Sequence, residues 1–245
     1  LGGAAQAGRR PARAVVFGQF PPLNRAAAGP DDRDPVPWRI ALDHARGSGA
    51  GPKYFEELWG AAVRRAPHHY GCHVAALRYL AAFRPGSHHA CFDFADRAAQ
   101  DAPPDSLVQA LPARAALGCL THGRGTDGGG TEVRRERLHA AADRAIALSA
   151  RFPAADPWPA EIRNKLVYVL VRLDRHQDAL AQLRLIGPYA TSFPWNRLSD
   201  DPLGHFLRLR AELLTTARPA PDTRLIPAAR RPRTGQGGQA RAGDH

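Results

Sequence analysis

The chain has 245 residues, 44% of them hydrophobic, which is enough apolar side chain for one large core or an elongated helical array. Its longest strongly apolar run in the helical region, residues 166–171, falls far short of the roughly 20 residues a membrane-crossing helix needs, so that class is excluded. The formal net charge of +11 raises nucleic-acid binding, but much of it sits at the ends: residues 1–33 carry five basic and two acidic side chains, and residues 218–245 carry six and two.

Both ends are rich in Gly, Pro and Ala and lack helical periodicity, so 1–33 and 218–245 read as disordered basic tails flanking a helical domain over 34–217. Such tails can bind polyanions weakly and in a salt-dependent way. Arg9 and Arg10 precede Val15, Val16 and Phe17, a stretch shorter than the roughly 7–15 residues of a signal core, so a cytoplasmic location is expected. The chain starts at Leu1 and has no methionine, which suggests a non-standard start or missing N-terminal sequence. Cys72, Cys91 and Cys119 fall within apolar helical patterns and read as reduced structural residues.

In chain order, Asp34 and Pro35 open a first helix with Trp38, Ala41, Leu42 and Ala45 on one face, expected to stop at Gly47. A second, near 53–66, aligns Phe55, Leu58, Trp59 and Ala62. A third runs from about Tyr70 to Phe83, closed by Pro85-Gly86, and a fourth starts at Ser87 and turns Phe92, Ala95 and Ala99 inward. Residues 106–120 are apolar enough for a buried helix that Pro112 kinks or splits. After a glycine-rich loop, Thr131 can cap a long helix bearing Leu138, Ala141, Ala145, Leu148 and Phe152. Further helices follow at about 160–173 and 176–186, and Asp201-Pro202 opens a last one with Phe206, Leu209 and Leu213. The prediction is all-α: about nine helices and no convincing strand.

Amphipathic runs end repeatedly in proline, at Pro67, Pro103 and Pro153, and Ala95-Asp96-Arg97-Ala98 is echoed by Ala142-Asp143-Arg144-Ala145. The unit at 160–187 resembles a tetratricopeptide repeat, with Leu166 in its first helix and Ala179, Leu183 and Ile186 where the second helix packs. It departs from that pattern at Val167 and lacks the usual proline; the unit at 55–67, with Ala62 and Pro67, matches only the second-helix half. The runs APHHYGCHVAALRYL and GSHHACFDFA resemble an uncharacterised group of bacterial tetratricopeptide-like proteins. The resemblance implies stacked antiparallel helix hairpins, a tetratricopeptide-like α-solenoid, with no known activity.

Few residues suggest chemistry. His68, His69, Cys72 and His73 cluster near one helix start, and His88, His89 and Cys91 near the next. His69 and His73 have the spacing of two metal ligands, but the two clusters should lie at opposite ends of their hairpin, so no metal is expected and the histidines are read as capping helix starts, lining surfaces or bonding to neighbouring loops. Residues 123–128 satisfy GxGxxG without the preceding strand that a dinucleotide site needs. No Walker lysine motif, HExxH or CxxC occurs, so no catalytic residue and no cofactor are expected. On the helix at 160–173, Ile162, Leu166, Val169, Leu170 and Leu173 define a buried face, and Asn164, Lys165, Tyr168 and Arg172 gather opposite. By the tetratricopeptide resemblance this stripe lines the concave groove and holds a protein or peptide partner, Lys165 and Arg172 favouring an acidic group. The plainer alternative is a solvated face on which Glu161 pairs with Lys165. The expected function is therefore a non-catalytic protein-interaction or scaffold module. The alternatives are an enzyme using the histidine-rich region or missing N-terminal sequence, and a nucleic-acid binder acting through the tails.

Overall fold

A computed structural model describes residues 34–83, 88–122 and 133–216. The expected tails, the turn at Pro85-Gly86, the glycine-rich loop with its GxGxxG run and the Thr131 cap lie outside these residues. Among those described the structure is all-helical, without strands. Ten α-helices occur: α1 (Val36–Ser48), α2 (Pro52–Arg65), α3 (Tyr70–Phe83), α4 (His88–Asp101), α5 (Leu111–His122), α6 (Arg135–Ser149), α7 (Ala160–Arg172), α8 (His176–Ile186), α9 (Trp195–Leu198) and α10 (Pro202–Thr216). No described helix is long and apolar enough to cross a membrane.

Local chemistry accounts for most boundaries. Asp34 Oδ1 accepts the Val36 amide at 2.9 Å, satisfying one of the donors that a helix start leaves free. The α1 helix runs past the expected stop at Gly47 to Ser48, because Gly49 and not Gly47 takes the left-handed cap conformation (φ 73°). Pro112 does divide its segment: a 3-10 turn at Leu107–Ala110 precedes α5, which places the proline in its first turn, where no amide donor is needed. At α10, Asp201 Oδ1 accepts the Gly204 amide at 2.9 Å. The short α9 sits inside the aromatic loop between α8 and α10, which carries Tyr189, Phe193 and Trp195, and has no periodic signature in the sequence.

The helices pack in consecutive pairs, α1 with α2, α3 with α4, α5 with α6 and α7 with α8. First helices also touch one another in order, α1 on α3, α3 on α5 and α5 on α7. Second helices reach the following first helix, α2 on α3, α4 on α5 and α6 on α7, and α8 packs on α10.

Two apolar clusters result. The smaller joins α1 and α2 to one side of α3 through Leu42, Ala45, Phe55, Ala62, Cys72, Ala75 and Tyr79. Within it Phe55 stacks on Tyr79 at 3.7 Å, and the Tyr79 hydroxyl donates to the Ala50 carbonyl at 2.8 Å. The larger runs from the other side of α3 to α10, around Phe92, Leu111, Leu166, Leu170, Ile186 and Trp195. Phe94 packs against both. The α3 helix is apolar nearly all round because it serves both clusters.

Candidate functional site

The α7 helix departs most from its sequence pattern. Instead of one buried face it is buried at Ala160, from Ile162 through Val167, and at Val169 and Leu170. Asn164 (0% exposed) and Lys165 (2%) are therefore interior, a correction to the open stripe expected from helical periodicity. Neighbours on three sides explain this: α5, α6 and α8 all pack on α7, so its polar residues face protein. Tyr168 and Arg172 remain half-buried, Tyr168 against the larger cluster.

Each interior polar group has a defined task. Arg163 is wholly buried and surrounded by neutral acceptors. Its Nε donates to Ser149 Oγ, its Nη1 to the Pro153 and Leu185 carbonyls, and its Nη2 to the Ser149 and Phe152 carbonyls, all within 3.0 Å. Ser149 and Leu185 lie at the C-terminal ends of α6 and α8, whose dipoles favour a cation, and Phe152 and Pro153 belong to the turn that follows α6. Asn164 donates to the Ala160 and Tyr189 carbonyls and accepts from Trp195 Nε1, each at 2.8 Å, which ties the aromatic loop to α7.

Lys165 points the other way, into a charged row that crosses the first helices. Its Nζ donates to the Tyr70 hydroxyl at the start of α3 and to Glu161 Oε1 at 3.0 Å. Glu161 also accepts from Arg114 Nη1 of α5 at 2.9 Å. The Phe193 ring lies 4.7 Å from the Arg114 guanidinium and 6.0 Å from the lysine nitrogen. Burial pushes the Glu161 carboxyl up, but the charges and hydrogen bonds of Lys165 and Arg114 outweigh it and leave it below its ordinary value. Two nearly buried cations thus share one half-exposed carboxylate.

Further along the row, Arg78 of α3 lies 3.8 Å from Asp43 of α1, and Asp43 is also 3.9 Å from Arg39 and from Arg46. Burial lowers the Arg78 pKa, and the Arg114 charge lowers it further against the opposing pull of Asp43. Glu161 also pulls the Arg78 pKa upward, the smallest of the influences on it. Among the described residues five cations in this row face two carboxylates. A surplus of positive charge with low-dielectric protein behind it projects its field outward.

Of the stripe expected from sequence, Lys165 joins this row, Asn164 does not, and Tyr168 and Arg172 continue the Glu161–Lys165 side of α7 at helical spacing. The alternative pairing of Glu161 with Lys165 is present, but its lysine is buried and only the carboxylate reaches solvent. Arg114, Arg78 and Tyr70 were not singled out by periodicity. The signal for Arg114 was a lone charge inside the apolar run 106–120.

The first histidine cluster makes local structural contacts. His69 Nδ1 accepts the Cys72 amide at 3.3 Å and so caps α3. His73 is buried, its ring edge-on to Trp59 at 5.0 Å. Among the described residues no three His, Cys, Asp or Glu side chains converge in a way that could hold a metal. Burial pushes the Cys72 thiol up to about 11, which makes it a poor nucleophile. No protein-family model, curated protein or solved structure matches the chain.

Proposed function

We propose that the protein is a non-catalytic interaction module of the cytoplasm, a tetratricopeptide-like stack of degenerate helix hairpins. In this reading the row of first helices α1, α3, α5 and α7 is the docking face for a protein or peptide segment of acidic character. Two features support the stack: the order in which first helices touch first helices, and the packing of each second helix on the next first helix. The observation that carries the docking face is the Arg114–Glu161–Lys165 triad, in which burying two cations against one carboxylate is a cost that an incoming anion reduces. Tyr168 adds contact area and Arg172 directional donors at the end of the same stripe.

Affinity capture with the full chain, followed by titration of the captured partner, tests this reading. Replacing Tyr168 and Arg172 by alanine is expected to weaken binding by about 1–3 kcal/mol, as truncation of interface anchors does. Binding unaltered by these changes removes the α7 stripe from the docking face. Co-purified nucleic acid in place of a protein partner overturns the reading.

A further inference from the structure

A second cluster, which shares Arg39 with the charged row, lies where the α1–α2 pair joins α3. There His69 Nδ1 accepts the Cys72 amide and lies 3.2 Å from Cys72 Sγ, so the cap exists only while that nitrogen carries no proton. One turn on, His73 Nδ1 is 3.1 Å from the His69 carbonyl, and its ring sits between Trp59 of α2 and Phe94 of α4. The α1 helix closes the other side. A Cβ on Gly71 would meet both Arg39 Cδ and His69 Cε1 at 3.0 Å, so α1 and the histidine ring approach the α3 backbone closely at this glycine. Cys72 Sγ is 3.8 Å from the Pro35 carbonyl at the head of α1.

We propose that this cluster is an acid-sensitive latch, which holds the α1–α2 pair on α3 while His69 and His73 are neutral and releases it when they take up protons. A proton on His69 Nδ1 abolishes the cap and sets a positive charge at the positive end of the α3 dipole. The charge also lands beside Arg39, with the Asp34 carboxylate opposing it in part. A proton on His73 is opposed by the neighbouring His68 and His69, while the Trp59 ring of α2 and the Phe94 ring of α4 lie against it. Asp43 of α1 acts on the adjacent Cys72.

Burial, aided by Arg39, lowers the His69 pKa. Burial also lowers that of His73, the bond to the His69 carbonyl opposing in part. The released state therefore binds more protons. The latch is complete above the ordinary histidine value of about 6.5 and weakens as pH falls below it. The apolar contacts of the α1–α2 pair fall in the smaller cluster, joined by the Arg78–Asp43 ion pair and the Trp59–Phe94 ring contact, so this pair is the unit expected to open when the latch releases.

Hydrogen exchange of the full chain at pH 7.5 and 5.5, corrected for intrinsic rates, tests the proposal. Protection of α1 and α2 amides is expected to fall at least fivefold relative to α7 and α8 on acidification. The double variant His69→Asn, His73→Gln, in which asparagine keeps a cap acceptor that does not titrate, is expected to lose this response; His69→Asn alone should reduce it. An unchanged ratio in the wild type, or a full acid response in either variant, overturns the latch.

Discussion

Replacing Arg163 by methionine probes the most tightly bonded polar group of the fold. The guanidinium is 0% exposed and spends all five N–H donors on Ser149 Oγ and four main-chain carbonyls. Charge-assisted bonds of about 1.5–3 kcal/mol each set a gross ceiling on the order of 10 kcal/mol. A neutral side chain escapes the desolvation penalty of the buried cation, itself several kcal/mol. The net loss expected for Arg163→Met is therefore about 3–5 kcal/mol, a large fraction of the roughly 5–15 kcal/mol that holds a domain together. Arg163→Lys keeps the charge but cannot reach five acceptors, and is expected to cost about 2–3 kcal/mol. Urea unfolding followed by circular dichroism reads both, provided the slope of the transition is unchanged. A loss under about 1 kcal/mol for Arg163→Met would refute the argument that these helix ends depend on the buried cation.

Three further outcomes are expected. Asn164→Ala leaves Trp195 Nε1 and the Tyr189 carbonyl unmatched, so stability should fall by about 1–3 kcal/mol, and exchange should quicken over residues 189–198 relative to α3; equal effects across the chain would show that the loop is not held by this residue. Gly187→Ala forces an L side chain to φ 59° with its Cβ 2.8 Å from that of Ala155, and is expected to cost at least about 1–3 kcal/mol in urea unfolding. A disulfide exchange reagent at pH 8 should modify the half-exposed Cys119 first and Cys72 last, the buried Cys72 thiol with its pKa of about 11 remaining protonated; early loss of the Cys72 thiol would contradict that burial.

The helical class and most boundaries were legible because they depend on short-range features: proline and glycine at the ends, and apolar spacing along each run. The α4 helix buries Phe92, Ala95 and Ala99 as periodicity assigned, and α6 buries Leu138, Ala141, Ala145 and Leu148, whereas Phe152, expected on the same face, lies past the end of α6 and is partly buried. Periodicity assumes one buried side, and it failed at α7, where neighbours on several sides drew Arg163, Asn164 and Lys165 inside. The acceptors for Arg163 come from carbonyls around residues 149–153 and 185, and main-chain carbonyls leave no mark in a sequence. The charged row was hidden for a related reason. Its members Asp43, Arg78, Arg114 and Lys165 are separated by at least 35 residues and meet only because first helices stack on first helices.

The claim that this row is the docking face is tested most directly by reversing one of its charges and comparing an equal reversal elsewhere. Arg78→Glu alters the row between Asp43 and Arg114, whereas Arg97→Glu removes the same charge from the exposed side of α4. Calorimetric titration of both full-length variants with the captured partner is expected to show affinity about tenfold or more weaker for Arg78→Glu, roughly 1.4 kcal/mol, and little changed for Arg97→Glu. Equal weakening in the two variants would mean that the partner responds only to net charge, and would contradict a docking face on the first helices.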